Sequence, residues 1–435
     1  MTRNRWLIIA PAFNCDGQAA SQTMTDKVSY LEAAGIELSV ISALNGNRHD
    51  RIPHYQVWPW SPSGIRFEYR YVTANRYGRG LRYKLQTVAI SILLSPLMLL
   101  ERILTGLSGH WSWAPAAGFK AWLLHRNKPF DLIYSSGGPI SAHLAGWIAH
   151  KLTGLPWIAE IHDPIVVSTQ AQPTSIRTRL SRENKLEHRL EKLVCNDAHV
   201  AWWFTKTALA AARSRNPQLG ERGFYVVPGV MPPEVLEQHV YGEYLNIGYF
   251  GKLSGTRSMY EFLLGLHTLI ERSPKAREVI RLHIYGGGID VRARQAAEQM
   301  NLWDVIVCHG RLERDPITSE SGRTQVTRKM QQCDALLLLH GKEPWCAEYI
   351  PSKVYEYFWA RRPILALTHM NPQLDKLVDQ FGGIIPKHMS SNGIADSIDV
   401  IWERWKSKSL EPSSASPIGV DVAVATILEH VTKRQ

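Results

Sequence analysis

Short apolar runs alternate with longer amphipathic stretches along the chain. Strands are predicted over 6–12, 37–42, 131–135, 157–161, 199–204 and 224–227, with helices over 21–34, 140–152 and 176–194. The rhythm then starts again. Strands are predicted over 244–250, 280–285, 305–309, 335–339 and 364–367, and helices over 259–270 and 291–300. Strands alternating with helices point to a parallel sheet covered by helices, here twice over. The stretch from Pro228 through Gly229 to Pro232 and Pro233 has linker character, because its prolines break regular structure. The boundary is therefore expected near residue 235, dividing an N-terminal domain (1–235) from a C-terminal domain (236–435) whose last helix is expected to pack back on the first. Two doubly wound, Rossmann-like α/β domains facing an interdomain cleft is the expected architecture. In such sheets ligands sit beyond the carboxyl ends of the strands. No internal repeat or low-complexity tract interrupts the pattern.

The segment 65–107 departs from it. Phe67, Tyr69, Tyr71, Tyr77 and Tyr83 interleave with Arg66, Arg70, Arg76, Arg79, Arg82 and Lys84, and an apolar run from Val88 to Leu100 follows, interrupted by Pro96. That run is shorter than the roughly 20 residues a membrane-spanning helix needs. Its flanks suit a helix lying in a membrane interface. Two other readings stay open: a helix buried in the N-terminal domain beside a basic loop, and a surface that stacks on single-stranded nucleic acid. No RNA-binding signature accompanies it.

Composition narrows this picture modestly. At 435 residues the chain is too long for one ordinary core. Its formal net charge of +11 favours an anionic partner, whether nucleic acid, lipid surface or phosphorylated small molecule. Five cysteines, odd in number and without a CxxC pair, fit a reducing compartment better than a disulfide framework. The first apolar run is brief and meets Asn14, Cys15, Asp16 and Gly17 without a small-residue cleavage site, so it is expected to be a buried strand.

The candidate chemistry is concentrated in the second half. Glu348 to Glu356 lies between a strand ending near Leu339 and a helix expected to start near Ser352. On that helix Ser352, Lys353 and Glu356 share a face. The helix N-terminus suits a phosphate, and the carboxylate of Glu356 can accept from two neighbouring sugar hydroxyls. Taken alone, the pair reads better as a local surface salt bridge worth about 0.3–0.5 kcal/mol. At the start of the same domain, Tyr249-Phe250-Gly251-Lys252-Leu253 ends the first strand, and Arg257 follows. Gly251 permits a tight turn and close ligand approach. Two cations there can hold a diphosphate, each charge-assisted bond being worth roughly 1.5–3 kcal/mol.

These motifs resemble glycosyltransferase family 4, a group of retaining GT-B enzymes, in the version seen in bacterial polysaccharide and lipopolysaccharide synthesis. The resemblance rests on Gly251-Lys252-Leu253 with Arg257, the Glu348-x7-Glu356 spacing, and the run Pro351 to Tyr357 continuing through Ala360 and Pro363-Ile364-Leu365. It implies an enzyme that uses a UDP- or GDP-type sugar; the cysteine usage points to the cytoplasm, and the basic surface with the 65–107 segment suggests a peripheral place on the inner face of the membrane. The same surface suggests a glycan or lipid-linked hydroxyl as acceptor, and without a metal-binding motif or an RNA-binding signature neither a metal nor nucleic acid is expected. Glu356 is implied to hold the donor ribose, Glu348 to touch the sugar, and Lys252 and Arg257 the diphosphate. Arg257-Ser258 stands where the family commonly has Lys-Gly, Tyr349-Ile350-Pro351 replaces an aromatic and small pair, and the Gly-rich first loop is reduced to Gly17.

Weaker candidates are Gly286, in a Gly-Gly-Gly turn after Tyr285, and His162-Asp163 after a strand of the first domain. The Gly-rich turn at Gly286 reads equally well as a plain strand-to-helix turn, and that at Ser136-Gly137-Gly138-Pro139 reads better as one. No GxGxxG, HExxH, Asp-x-Asp or Gly-x-Ser-x-Gly motif is present. Competing readings are a nucleotide-sugar epimerase, an inverting GT-B transferase, and a non-catalytic basic module for membrane or nucleic acid.

Overall fold

A computed structural model describes residues 4–78, 80–107, 109–138, 140–166, 182–315, 317–410 and 415–433. The chain forms two units, Met1–Gly229 with Val420–Gln435, and Val230–Gly419.

In the first unit the order is β1 (Asn4–Ile9), α1 (Ala19–Thr25), α2 (Val28–Ala33), β2 (Ile36–Ser42), β3 (His54–Gln56), α3 (Pro62–Tyr77), α4 (Leu81–Thr105), α5 (Trp113–Asn127), β4 (Leu132–Gly137), α6 (Ile140–Thr153), β5 (Trp157–Ile161), α7 (Arg182–Asp197), β6 (Val200–Trp203), α8 (Lys206–Arg215) and β7 (Gly223–Tyr225). The strands form one parallel sheet in the order β3-β2-β1-β4-β5-β6-β7. Strands such as β4 and β5 are buried throughout, so they read as apolar runs without alternation. One face packs Leu7, Ile9, Ile133, Trp157, Ala159 and Trp203 against α5, α6 and α7. The last helix of the chain, Val420–Thr432, belongs to this unit, and the His430 ring stacks on Phe224 at 3.9 Å.

The second unit runs β8 (Leu245–Gly251), α9 (Tyr260–Arg272), α10 (Lys275–Val279), β9 (Ile280–Gly286), α11 (Val291–Gln299), β10 (Ile306–Gly310), α12 (Gly322–Gln332), β11 (Ala335–Leu339), α13 (Lys353–Ala360), β12 (Ile364–Leu367), α14 (Pro372–Gln380) and α15 (Ser391–Lys406). Its five strands are parallel in the order β10-β9-β8-β11-β12. In each unit the strand order reverses beside the first strand, at β1/β4 and at β8/β11. Those are the switch points where loops leave the sheet in opposite directions and open a crevice. The two doubly wound sheets constitute the GT-B fold.

Two departures from the sequence expectation have physical causes, and a third expected element is described only in part. The expected helix over 21–34 is two helices, α1 and α2. Lys27 N bonds Met24 O, a tighter turn, while its side-chain Nζ turns inward to Thr23 O. The backbone carbonyl that a continuous helix would satisfy is satisfied by a side chain instead. The expected helix over 176–194 is seen from Arg182 onward, and residues 176–181 lie outside the described residues. The 65–107 segment is a helical hairpin of α3 and α4, and α4 is longer than its apolar run. Pro96 lies inside α4 without breaking it. A proline cannot donate to the carbonyl four residues back; here Ser95 Oγ supplies the missing proton to Ile92 O at 2.8 Å.

Candidate functional site

In the second unit the switch point is built from backbone upward. Gly251 closes β8 and Gly286 closes β9, paired across the ladder. A Cβ on Gly286 would sit 2.5 Å from Gly251 O, and its φ of +117° disfavours any L side chain, so both strand ends stay bare. Gly287 N donates to Gly251 O at 3.1 Å, and the stem of Lys252 lies against Gly287, with Lys252 Cγ 3.4 Å from where a Cβ would stand. The next residues fold back on themselves, Ser254 and Arg257 exchanging two backbone bonds of 2.9 and 3.1 Å. Asp290 locks this turn: it accepts from Ser258 Oγ at 2.7 Å and Met259 N at 3.0 Å while capping α11 through Ala293 N.

Arg257 is thereby turned inward. Its guanidinium meets the hydroxyls of Tyr249 and Tyr349, whose own ionisation burial pushes up to about 12. Its Nε is buried and makes no hydrogen bond. A buried donor left without an acceptor costs about 1–3 kcal/mol.

The loop after β11 supplies Tyr349 and Glu348. Two residues that carry no motif brace it. His340 Nε2 bonds Cys346 O at 2.7 Å, and Asn371 Nδ2 bonds Cys346 O and Tyr349 O at 3.1 and 2.9 Å while Asn371 Oδ1 caps α14 through Leu374 N. Burial pushes His340 down to about 4, so it is neutral at pH 7 and its Nε2–H is fixed as the donor. The helix expected near Ser352 is α13, with Ser352 at its N-cap and no side-chain cap bond. Tyr357 pins it to the sheet: the hydroxyl accepts from Phe250 N at 3.1 Å and donates to Leu337 O at 3.2 Å. Lys353 and Glu356 pair at 2.6 Å on the partly open face.

The second unit thus brings Gly251 to Gly286, Lys252 to the glycine turn, and Arg257 to Tyr349, the neighbour of Glu348. Among the described residues the ion pair to Glu356 comes from Lys353 of its own helix, not from Lys252 or Arg257.

In the first unit Gly17 lies exposed in the loop after β1, with a φ of +69° that favours glycine. His162 and Asp163 follow β5. His162 stacks on Phe204 at 4.9 Å, and Asp163 fills the space that a Cβ on Gly138 would take, its Oδ2 2.6 Å from that point. Pro139 of the same turn lies outside the described residues. Behind His162 stands a buried cluster the sequence reading missed. Glu160, with its carboxylate fully buried, accepts from Lys27 Nζ, Tyr134 Oη and Ser136 Oγ, each at 2.7 Å. Burial alone would raise the Glu160 carboxyl; the buried Lys27 ammonium and the His162 contact more than offset it and hold it well below the usual carboxylate range. Ser136 spends its one proton on Glu160, so it receives the 3.0 Å bond from His162 Nε2. Nε2 therefore carries a proton. A carboxylate inside an otherwise apolar strand is the signal that marks Glu160; nothing in the sequence marks its partner 133 residues away.

No family model matches the sequence, and no curated protein matches it either. Solved structures do match over the whole length. Anabaena HepE, crystallised with UDP-glucose, superposes with a TM-score of 0.57 at 13% identity, covering 99% of each chain. A mutant TarM from S. aureus, in complex with Fondaparinux, alpha-GlcNAc-glycerol and UDP, gives 0.59 at 11% identity and 99% of each chain. A putative UDP-N-acetylglucosamine 2-epimerase from Listeria monocytogenes gives 0.54 at 10% identity, covering 100% of this chain and 96% of that one. At such identities the likeness is one of fold.

Proposed function

We propose that the chain transfers a sugar from a nucleotide-diphosphate sugar to an acceptor hydroxyl, with retention of configuration. The observation that carries this reading is the inward-turned Arg257. Its unpartnered Nε stands beside the Glu348-Tyr349 loop, in a unit whose first two strands end in bare glycines with Lys252 between them. Backbone approach at the glycines and two cations suit a diphosphate. A UDP-type donor fits the fold shared with proteins crystallised with UDP-glucose and with UDP.

In this reading Glu356 holds the ribose of the donor and Glu348 touches its sugar, with Ser352 and Lys353 at the start of α13 on the phosphate side. As the anomeric carbon–oxygen bond breaks, the electron pair leaves with the diphosphate. Lys252 and Arg257 stabilise the charge that develops there, a part metal ions play in other transferases. The acceptor oxygen forms the new bond on the face the diphosphate vacates, and its proton passes to a phosphate oxygen of the leaving group. Retention then needs no separate carboxylate base. Gly17, His162 and Asp163 are assigned to contacts with sugar or acceptor. The acceptor is proposed to be a glycan or lipid-linked hydroxyl of bacterial surface polysaccharide or lipopolysaccharide synthesis, met on the cytoplasmic side of a membrane. The net charge of +11 is in keeping with an anionic partner of that kind.

Thermal unfolding of the purified protein against a panel of nucleotide-diphosphate sugars tests the reading, since a ligand of the folded state raises the midpoint. A donor that stabilises, and that is consumed only when an acceptor is added, is the expected result. Conversion of the donor to an epimer without acceptor would assign the chain to epimerases instead. No response to any nucleotide sugar would remove both.

A further inference from the structure

We infer that the α3–α4 hairpin docks the protein in the plane of an anionic lipid monolayer, with the open face of α4 among the acyl chains. The inference is independent of the sugar chemistry proposed above. Helix α4 runs for 25 residues, and among the residues it buries only Glu101 is prominent. Ile92 and Leu93 are 68% and 71% exposed, and Leu97, Leu100 and Ile103 are also more than half exposed. At 100° per residue the exposed apolar side chains cover about half the circumference of the helix. From Val88 to Leu100 there is no charged residue. The hydroxyls within and beside that stretch are turned back to their own helix: Thr87 to Tyr83 O, Ser91 to Thr87 O, and Ser95 to Ile92 O. No hydroxyl there needs water, which is the arrangement an apolar surrounding demands.

Charge identifies the occupant. The hairpin carries two acids, Glu68 and Glu101, and both are buried. Glu101 accepts from Ser63 N and Oγ, closing the base of the hairpin, and Glu68 accepts from Leu44 N. The exposed charges that remain among the described residues are cations, with Arg76, Arg82 and Lys84 at the turn and Arg102 at the far end. Cations at both ends of an uncharged apolar stripe match a layer with anionic headgroups above acyl chains. The same distribution opposes a second copy of the chain, because two such faces would bring like charges together.

The helix lies in the plane and does not cross. Although α4 is long and apolar enough to span by length and composition, it packs antiparallel along α3, with Arg66 Nε on Ser91 Oγ at 2.7 Å and Ser63 on Glu101 at the base. A crossing α4 would draw the arginines of α3 into hydrocarbon.

The test is sedimentation of the full-length protein with vesicles of phosphatidylcholine alone or mixed with phosphatidylglycerol. Wild type is expected to bind the anionic vesicles and to bind less as salt rises. The double variant I92E/L97E is expected to lose at least tenfold in binding, with circular dichroism and melting unchanged. R82Q/K84Q is expected to bind anionic vesicles several-fold more weakly and with less salt dependence. Wild type left in the supernatant would overturn the inference. So would I92E/L97E bound as tightly as wild type, or a lipid-free dimer that this variant turns into a monomer. Vesicle binding by a protein that responds to no nucleotide sugar would leave this inference standing and remove the transfer reading.

Discussion

Single side chains set the chemistry of both units, and the buried ones bear the largest consequences. Glu160 and Lys27 form an ion pair with both side chains fully buried. Removing one partner leaves the other charge buried and alone, so Lys27→Met is expected to cost about 3–5 kcal/mol in urea unfolding. Adding Glu160→Gln to it is expected to restore part of that. Because the Glu160 carboxyl is held below its ordinary value, its contribution is complete above the unfolded value near 4.3 and is lost as pH falls below it. Glu68 behaves in the opposite sense. Burial raises its carboxyl to about 7, so between about pH 4.5 and 7 the folded chain keeps a proton the unfolded chain has released. Stability falls as pH rises through that window. Glu68→Gln is expected to leave stability at pH 4 unchanged and to raise it at pH 8 by about 3 kcal/mol, an amount set by the size of the shift. Neither effect was legible in the sequence. Lys27 looks there like any helix cation and Glu68 like one charge in a basic stretch, because burial is decided by contacts far along the chain.

Elements carry the next level. Tyr357 ties α13 to two strands through a single buried hydroxyl. Tyr357→Phe leaves Phe250 N without that acceptor and is expected to cost about 1–3 kcal/mol, with a matching loss in any affinity that depends on Glu356, the neighbouring residue. An unaltered melting temperature and unaltered affinity would show that α13 is held by its apolar face alone. At this scale the sequence was informative where hydrophobic period and element coincide. The five strands of the second unit and the helix after Ser352 were all legible. It was misleading where a side chain substitutes for backbone. Lys27 divides one periodic stretch into two helices, and Ser95 carries a helix through Pro96, which as a proline suggests an interruption. The short strand β3 was missed, having only three residues, all half-buried.

The whole molecule has two parallel sheets, of seven and five strands, each reversing strand order beside its first strand. That repetition was legible because the strand–helix alternation starts twice in the sequence. Residues that brace the candidate site were not legible: His340, Asn371 and Asp290 belong to no motif and act through backbone groups brought near by folding. Sugar transfer as proposed requires that the switch point of the second sheet hold a nucleoside diphosphate, with cations on the phosphates and Glu356 on the ribose. Calorimetric titration compares the best-binding nucleoside diphosphate with its parent nucleoside, on wild type, Lys252→Ala and Glu356→Ala. Lys252→Ala is expected to weaken the diphosphate about 10- to 100-fold and to leave the nucleoside unchanged, while Glu356→Ala weakens both. A diphosphate that binds wild type no better than its nucleoside, or equal affinities in all three proteins, would contradict the claim.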